Sequence, residues 1–204
     1  MNLKPQLPIS EPALSWFLQC CKNARIELAY GSKSKRSLGF FQSVSKSQTG
    51  LTGKIHLYSQ SNPHRLLFTA IHELSHAIVW LDFDGVVAPH GSEWKAVFTE
   101  LLEFALHYKF FPEALETPIR THIQSTVFAC SGTDLQLELA FRTYDSHQKP
   151  IVLDVPMGSV FQMQGRQFVK VRKLNKRFEC KELQTNRLFR VHPLAEIQPI
   201  SDLF

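Results

Sequence analysis

Paired cysteines are missing from this chain: its 204 residues hold four Cys, none in a C-x-x-C or C-x-C spacing. Cys20 and Cys21 are adjacent, while Cys130 and Cys180 stand alone. A disulfide scaffold and a four-thiolate zinc site therefore both lack their sequence signature. The cysteines read instead as small buried residues. No run of eighteen apolar residues occurs either, so a membrane span is not expected. Met1-Asn2-Leu3-Lys4-Pro5 lacks the apolar core of a secretory signal, which sets a cytoplasmic location as the expectation. Internal repeats and low-complexity tracts are absent too. What is left is a chain that is 44% hydrophobic, long enough for a sizeable core and one or two domains.

Within it, His72-Glu73-Leu74-Ser75-His76 lies in a helix-patterned stretch, and His90 follows fourteen residues after His76. A helix sets residues four apart on one face, so His72 and His76 can reach a single ion. A catalytic zinc takes three protein ligands and keeps one position open, which makes His90 the natural third ligand. Glu73 then stands beside the metal as a general base for an attacking water. Neutral imidazoles are needed for ligation, so activity is expected to fall in acid.

Local context supports the helix. Ser61-Asn62-Pro63 supplies an N-cap and a proline at the first helical position. Leu66, Leu67, Ala70, Ile71, Leu74, Ala77, Ile78 and Leu81 gather on one side of the wheel, roughly opposite His72 and His76. One buried face and one site-lining face are expected. Pro89 ends a loop, Gly91-Ser92-Glu93 begins a second helix, and Val97, Phe98, Leu101, Leu102 and Ala105 give that helix an apolar stripe.

The segments HELSHAIVW and PHGSEWKAVF together resemble the SprT-like zinc metalloproteases, the group that includes the Spartan-type proteases of eukaryotes. His72, His76, His90 and Glu73 match the ligand and base positions of that family. The resemblance runs from about the first helix to the end of the Glu93–Tyr108 helix. It implies one Zn²⁺ per chain, peptide-bond hydrolysis, and a helix and small sheet ahead of the metal helix. The chain departs from many such proteins in having no paired cysteines for a C-terminal zinc ribbon.

An α+β fold is expected. Its N-terminal part is zincin-like: a helix over Glu11–Asn23, a small antiparallel sheet, the HExxH helix, then the second ligand helix. The sheet strands are Ile26–Tyr30, Leu38–Ser43 and Thr52–Tyr58, separated by Gly/Ser/Lys-rich turns. In the third, Thr52, Lys54, His56 and Tyr58 alternate with Gly53, Ile55 and Leu57. If that strand edges the cleft, it pairs with an extended substrate, and Lys54, His56 and Tyr58 are substrate-binding candidates; if it is central, it does not. Tyr58 and His56 are likewise the oxyanion candidates.

After Pro118 the pattern changes to short runs: Ser125–Cys130, Leu135–Phe141, Ile151–Asp154, Val160–Met163, Gln167–Leu174, Arg177–Leu183 and Leu188–Val191. These read as strands of a small sheet or barrel. A metallopeptidase domain over 1–122 and a basic β-rich module over 123–204 are expected. Residues 165–190 hold nine basic and two acidic side chains, a net +7 within a chain of +5. Arg166, Lys170, Arg172, Lys173, Lys176 and Arg177 are the leading candidates for contact with a nucleic-acid backbone, such as DNA. The competing reading of that charge is a solvated face. At the level of function, a nucleic-acid-binding protein with a structural or inactive zinc site competes with the peptidase, and a non-peptide amide hydrolase is a further alternative.

Overall fold

The computed structural model describes residues 7–32, 37–44, 50–59, 62–125 and 134–200. The chain divides into two compact units, Met1–Ser146 and His147–Phe204. The architecture is α+β, with one sheet in each unit.

In the first unit α1 (Glu11–Asn23) leads into β1 (Ile26–Gly31), β2 (Gly39–Ser43) and β3 (Gly53–Tyr58). The strand order is β1-β3-β2, with β1 parallel and β2 antiparallel to β3. The sheet is thus mixed rather than antiparallel, and β3 is its centre rather than its edge. Alternation holds within β3: Gly53, Ile55 and Leu57 are buried, while Lys54, His56 and Tyr58 turn to the other face.

The helix α2 (Pro63–Phe83) packs on the buried face of that sheet. Asn62 caps it: its Oδ1 accepts from Arg65 N at 2.8 Å, and Pro63 opens the first turn. Burial differs from the one-sided expectation. Every residue from Arg65 to Ser75 is buried. Leu66, Ala70, Leu74 and Ala77 face Ile55, Leu57 and Phe17. Leu67, Phe68, Ile71 and Val79 face Trp94, Phe98 and Leu102 on the next helix, α3 (Ser92–His107). Two cores therefore clasp one helix, which explains why His72 and Glu73 are themselves buried while His76 is half-buried. Among the described helices α2 alone is long and apolar enough to cross a membrane, and 67% of that window is buried within the fold.

Beyond α3 come α4 (Glu113–Gln124) and α5 (Leu135–Arg142). Pro118 does not end structure; it lies inside α4, whose buried Leu115, Ile119 and His122 keep helical spacing. Leu135–Phe141 is helical rather than extended, because Asp134 Oδ1 accepts from the Gln136 and Leu137 N–H groups and fixes a helix start. Leu137 and Phe141, four apart, are its buried residues. The first unit accordingly ends at Ser146, past the expected division at 122. Of the expected strand Ser125–Cys130, residues 126–130 lie outside the described residues.

The second unit is a five-stranded sheet, ordered β7-β6-β5-β4-β8, with neighbours antiparallel. Its strands are β4 (Val160–Met163), β5 (Arg166–Lys173), β6 (Phe178–Glu182), β7 (Leu188–Val191) and β8 (Gln198–Pro199). Phe161, Phe168, Phe178, Cys180 and Val191 form its core. Val152–Asp154 is a 3-10 turn rather than a strand, and Ile151 makes an isolated bridge to Glu196.

Candidate metal centre

His72 and His76 project from α2 one turn apart, and His90 returns to meet them from the connection to α3. That return uses an unusual backbone: His90 sits at φ 60° in the left-handed region. Such a conformation costs a non-glycine residue roughly 1–2 kcal/mol and is held where the surroundings fix it. The fixing hydrogen bonds are local, with Gly91 N donating to Ala88 O at 2.9 Å and Lys95 N to Gly91 O at 3.0 Å.

The three Nε2 atoms form a nearly equilateral triangle, with sides of 3.2, 3.1 and 3.2 Å. Tetrahedral Zn–N bonds of about 2.0–2.1 Å set nitrogens about 3.3 Å apart, so the triangle fits such an ion. Three nitrogen donors of the preferred type, converging at that spacing, are the donor set a divalent metal selects. Burial pushes the His76 imidazole down to about 4, with His90 adding to the effect. His90 is also lowered, by burial and by the charge of Lys95. Both directions favour the neutral, ligating form.

Beneath the triangle lies Trp94, fully buried. Its ring centroid is 4.7 Å from that of His72, 5.2 Å from His76 and 4.6 Å from His90. One indole therefore packs against all three imidazoles, and Phe98, 4.7 Å further on, backs the indole. The motif HGSEW signalled this tryptophan but not its use.

Glu73 follows His72 directly along α2. Burial raises its carboxyl to about 7, while the Phe41 N–H it accepts from works against that rise. The Phe41 hydrogen bond identifies the strand that borders the cleft. Tyr58 N donates to Leu38 O and Val44 N to Thr52 O, each at 3.1 Å. With the Gly39↔Leu57 register, Phe40 and Gln42 face β3, and Gly39, Phe41 and Ser43 turn their backbone groups outward. Gly39 allows the close approach to α2: a Cβ there would lie 3.0 Å from His56 O and 3.1 Å from Thr69 Cγ2.

Lys54, His56 and Tyr58 do not join the site. They occupy the face of β3 opposite α2, where Lys54 pairs with Glu27 at 2.6 Å and His56 stacks on Phe40 at 4.3 Å. With both edges of β3 taken, a substrate strand cannot add to it. Among the basic candidates, Lys170 is buried, its Nζ donating to Val152 O at 2.8 Å and Val155 O at 2.6 Å. That ammonium is a core strut, not a surface group. Arg166 is bonded to Glu182 and lies over Phe168 and Phe189. Arg172 is paired with Glu179 at 2.7 Å. Lys173, Lys176 and Arg177 remain exposed, gathered at the β5–β6 turn that Leu174 N closes onto Arg177 O at 2.8 Å.

No curated protein and no solved structure gives a significant match to the chain. A family model does: that of the SprT-like family matches residues 15–116. The matched span begins in α1, runs through α2 and α3 into α4, and contains His72, Glu73, His76 and His90. With half of the 204 residues matched, the site among them, the chain belongs to the SprT-like family.

Proposed function

We propose that the chain is a zinc-dependent peptidase, with His72, His76 and His90 as the metal ligands and Glu73 as the general base. The observation that carries this reading is the Nε2 triangle beside a buried carboxylate, with Glu73 and His76 sharing a cavity with the outer edge of β2. Zn²⁺ held by three imidazoles supplies Lewis acidity, polarising a carbonyl and lowering the pKa of water toward 7. Glu73 takes the proton of the attacking water and delivers it to the leaving amine nitrogen. Its raised proton affinity suits both halves of that task. The outward backbone groups of Gly39, Phe41 and Ser43 offer an extended peptide a partner edge. Thus β2 takes the part that the sequence pattern pointed to in β3. Trp94 keeps the ligand rings in place.

A second reading rests on the exposed Lys173, Lys176 and Arg177 turn: the chain binds a nucleic-acid backbone, either to bring the peptidase to DNA-associated proteins or as its whole activity. A cleavage screen on unfolded and DNA-bound proteins, with zinc or chelator and with or without single-stranded DNA, separates these. Zinc-dependent cleavage supports the peptidase, and its stimulation by DNA supports recruitment. Salt-sensitive DNA binding with no cleavage under any condition leaves only the second reading.

A further inference from the structure

Glu73, His76 and Trp80 stand three and four residues apart along α2, so they share one face of the helix. Seven residues of helix place Trp80 about 10 Å beyond Glu73, the length of about three extended residues. A cavity of about 490 Å³ occupies that span, bounded by the outward edge of β2 on one side and by residues 85–89 on the other. Apart from Glu73 and His76 at its inner end, the described side chains that line it carry no charge; Val79, Trp80, Val87 and Pro89 form its far end.

The far wall is built, not incidental. At the end of α2, Asp84 takes φ 49° and Gly85 φ 76°, which turns the chain back over the helix. Gly85 then lies against the face of Trp80: a Cβ there would come within 2.1 Å of Cζ3. Glycine is required both by the backbone angle and by the ring. Val87 is half-buried behind this turn, and Val86 is 87% exposed at its tip.

We infer that the Trp80 end of the cleft is a specificity pocket that accepts a large apolar side chain of the substrate, within three residues of the cleaved bond and on one side only. This rests on the peptidase reading. A peptide lying along β2 alternates its side chains, and one that points to α2 in this stretch meets the Val79–Trp80–Val87 wall. A charged side chain there would lose its hydration without gaining a partner.

The test is cleavage of a peptide mixture randomised around the bond by the zinc-loaded full chain, with product sequencing. The expected result is enrichment of Phe, Leu, Met or Trp over Asp, Glu and Lys by roughly 10–200-fold at one position. Val87→Glu should move the preference at that position toward Lys and Arg with one zinc per chain retained, a swap that misfolding cannot imitate. Cleavage with no preference at any position, or an unchanged preference in Val87→Glu, overturns the pocket. If no peptide is cleaved, the peptidase reading fails by itself, and the pocket is judged by peptide binding. There, fluorescence anisotropy on Glu73→Gln should show a Phe-bearing peptide bound at least about tenfold more tightly than its Asp counterpart. Equal binding overturns the inference.

Discussion

His90 shows how much of this site depends on one residue's backbone. Two converging imidazoles on a helix come almost free from the i, i+4 spacing, whereas the third must be carried back by a left-handed turn. Replacing His90 with Ala should weaken zinc binding by more than the roughly 100-fold that follows removal of a ligand's hydrogen-bond partner. Competition titration against a chelating dye measures this; unchanged affinity would remove His90 from the ligand set. Trp94 makes a separate prediction. Trp94→Ala removes a fully buried ring beneath three imidazoles and should destabilise the first unit by about 3–5 kcal/mol, read from denaturant unfolding. The clustering of His72, His76 and His90 beside Glu73 was legible because metal chemistry needs fixed residue types at fixed spacing. Trp80 and the Phe41 amide were not: an indole is indistinguishable from core in a sequence, and a backbone N–H has no letter of its own.

At the scale of elements, boundaries were far more readable than partners. The first helix was expected at Glu11–Asn23 and lies there. β3 alternates as expected, yet alternation says nothing about which strands flank it, so its central place emerged only from the pairing. Leu135–Phe141 alternates as well and is nonetheless a helix, since the Asp134 cap and the i, i+4 burial of Leu137 and Phe141 outweigh the pattern. That helix and the residues just after it also anchor α2. Arg65, buried at the start of α2, bonds Glu138 at 3.1 Å and Asp145 at 2.9 Å, and Asn62 Nδ2 donates to Phe141 O at 3.0 Å. Both carboxylates lie beyond the family match. Arg65→Met would take the cation from two half-buried acids, one of which keeps the Asn62 amide as a donor, and a loss of about 1.5–3 kcal/mol is expected from denaturant unfolding. Adding Glu138→Gln and Asp145→Asn should recover part of it; no loss in the single variant would mean that the network does not hold α2.

For the molecule as a whole, one unit carries the family match and the candidate site with no net charge, and the other carries the net +5. The charge excess was plain in the sequence, but its deployment was not. Lys170 is buried, and Arg166 and Arg172 are paired with Glu182 and Glu179, while Lys173, Lys176 and Arg177 gather exposed at the β5–β6 turn. If that turn meets phosphates, changing Lys173, Lys176 and Arg177 to Gln should weaken DNA binding regardless of sequence. The salt slope should then fall by about 1 for each phosphate no longer neutralised. A slope that does not change would assign the turn to solvation alone. The central claim, a peptidase built on three imidazoles and a buried carboxylate, is tested most directly by measuring zinc content and peptide-bond cleavage together in the native chain and in Glu73→Gln. One zinc per chain is expected in both, with cleavage in the native chain only; cleavage retained by Glu73→Gln, or none by the zinc-loaded native chain, would contradict the peptidase reading.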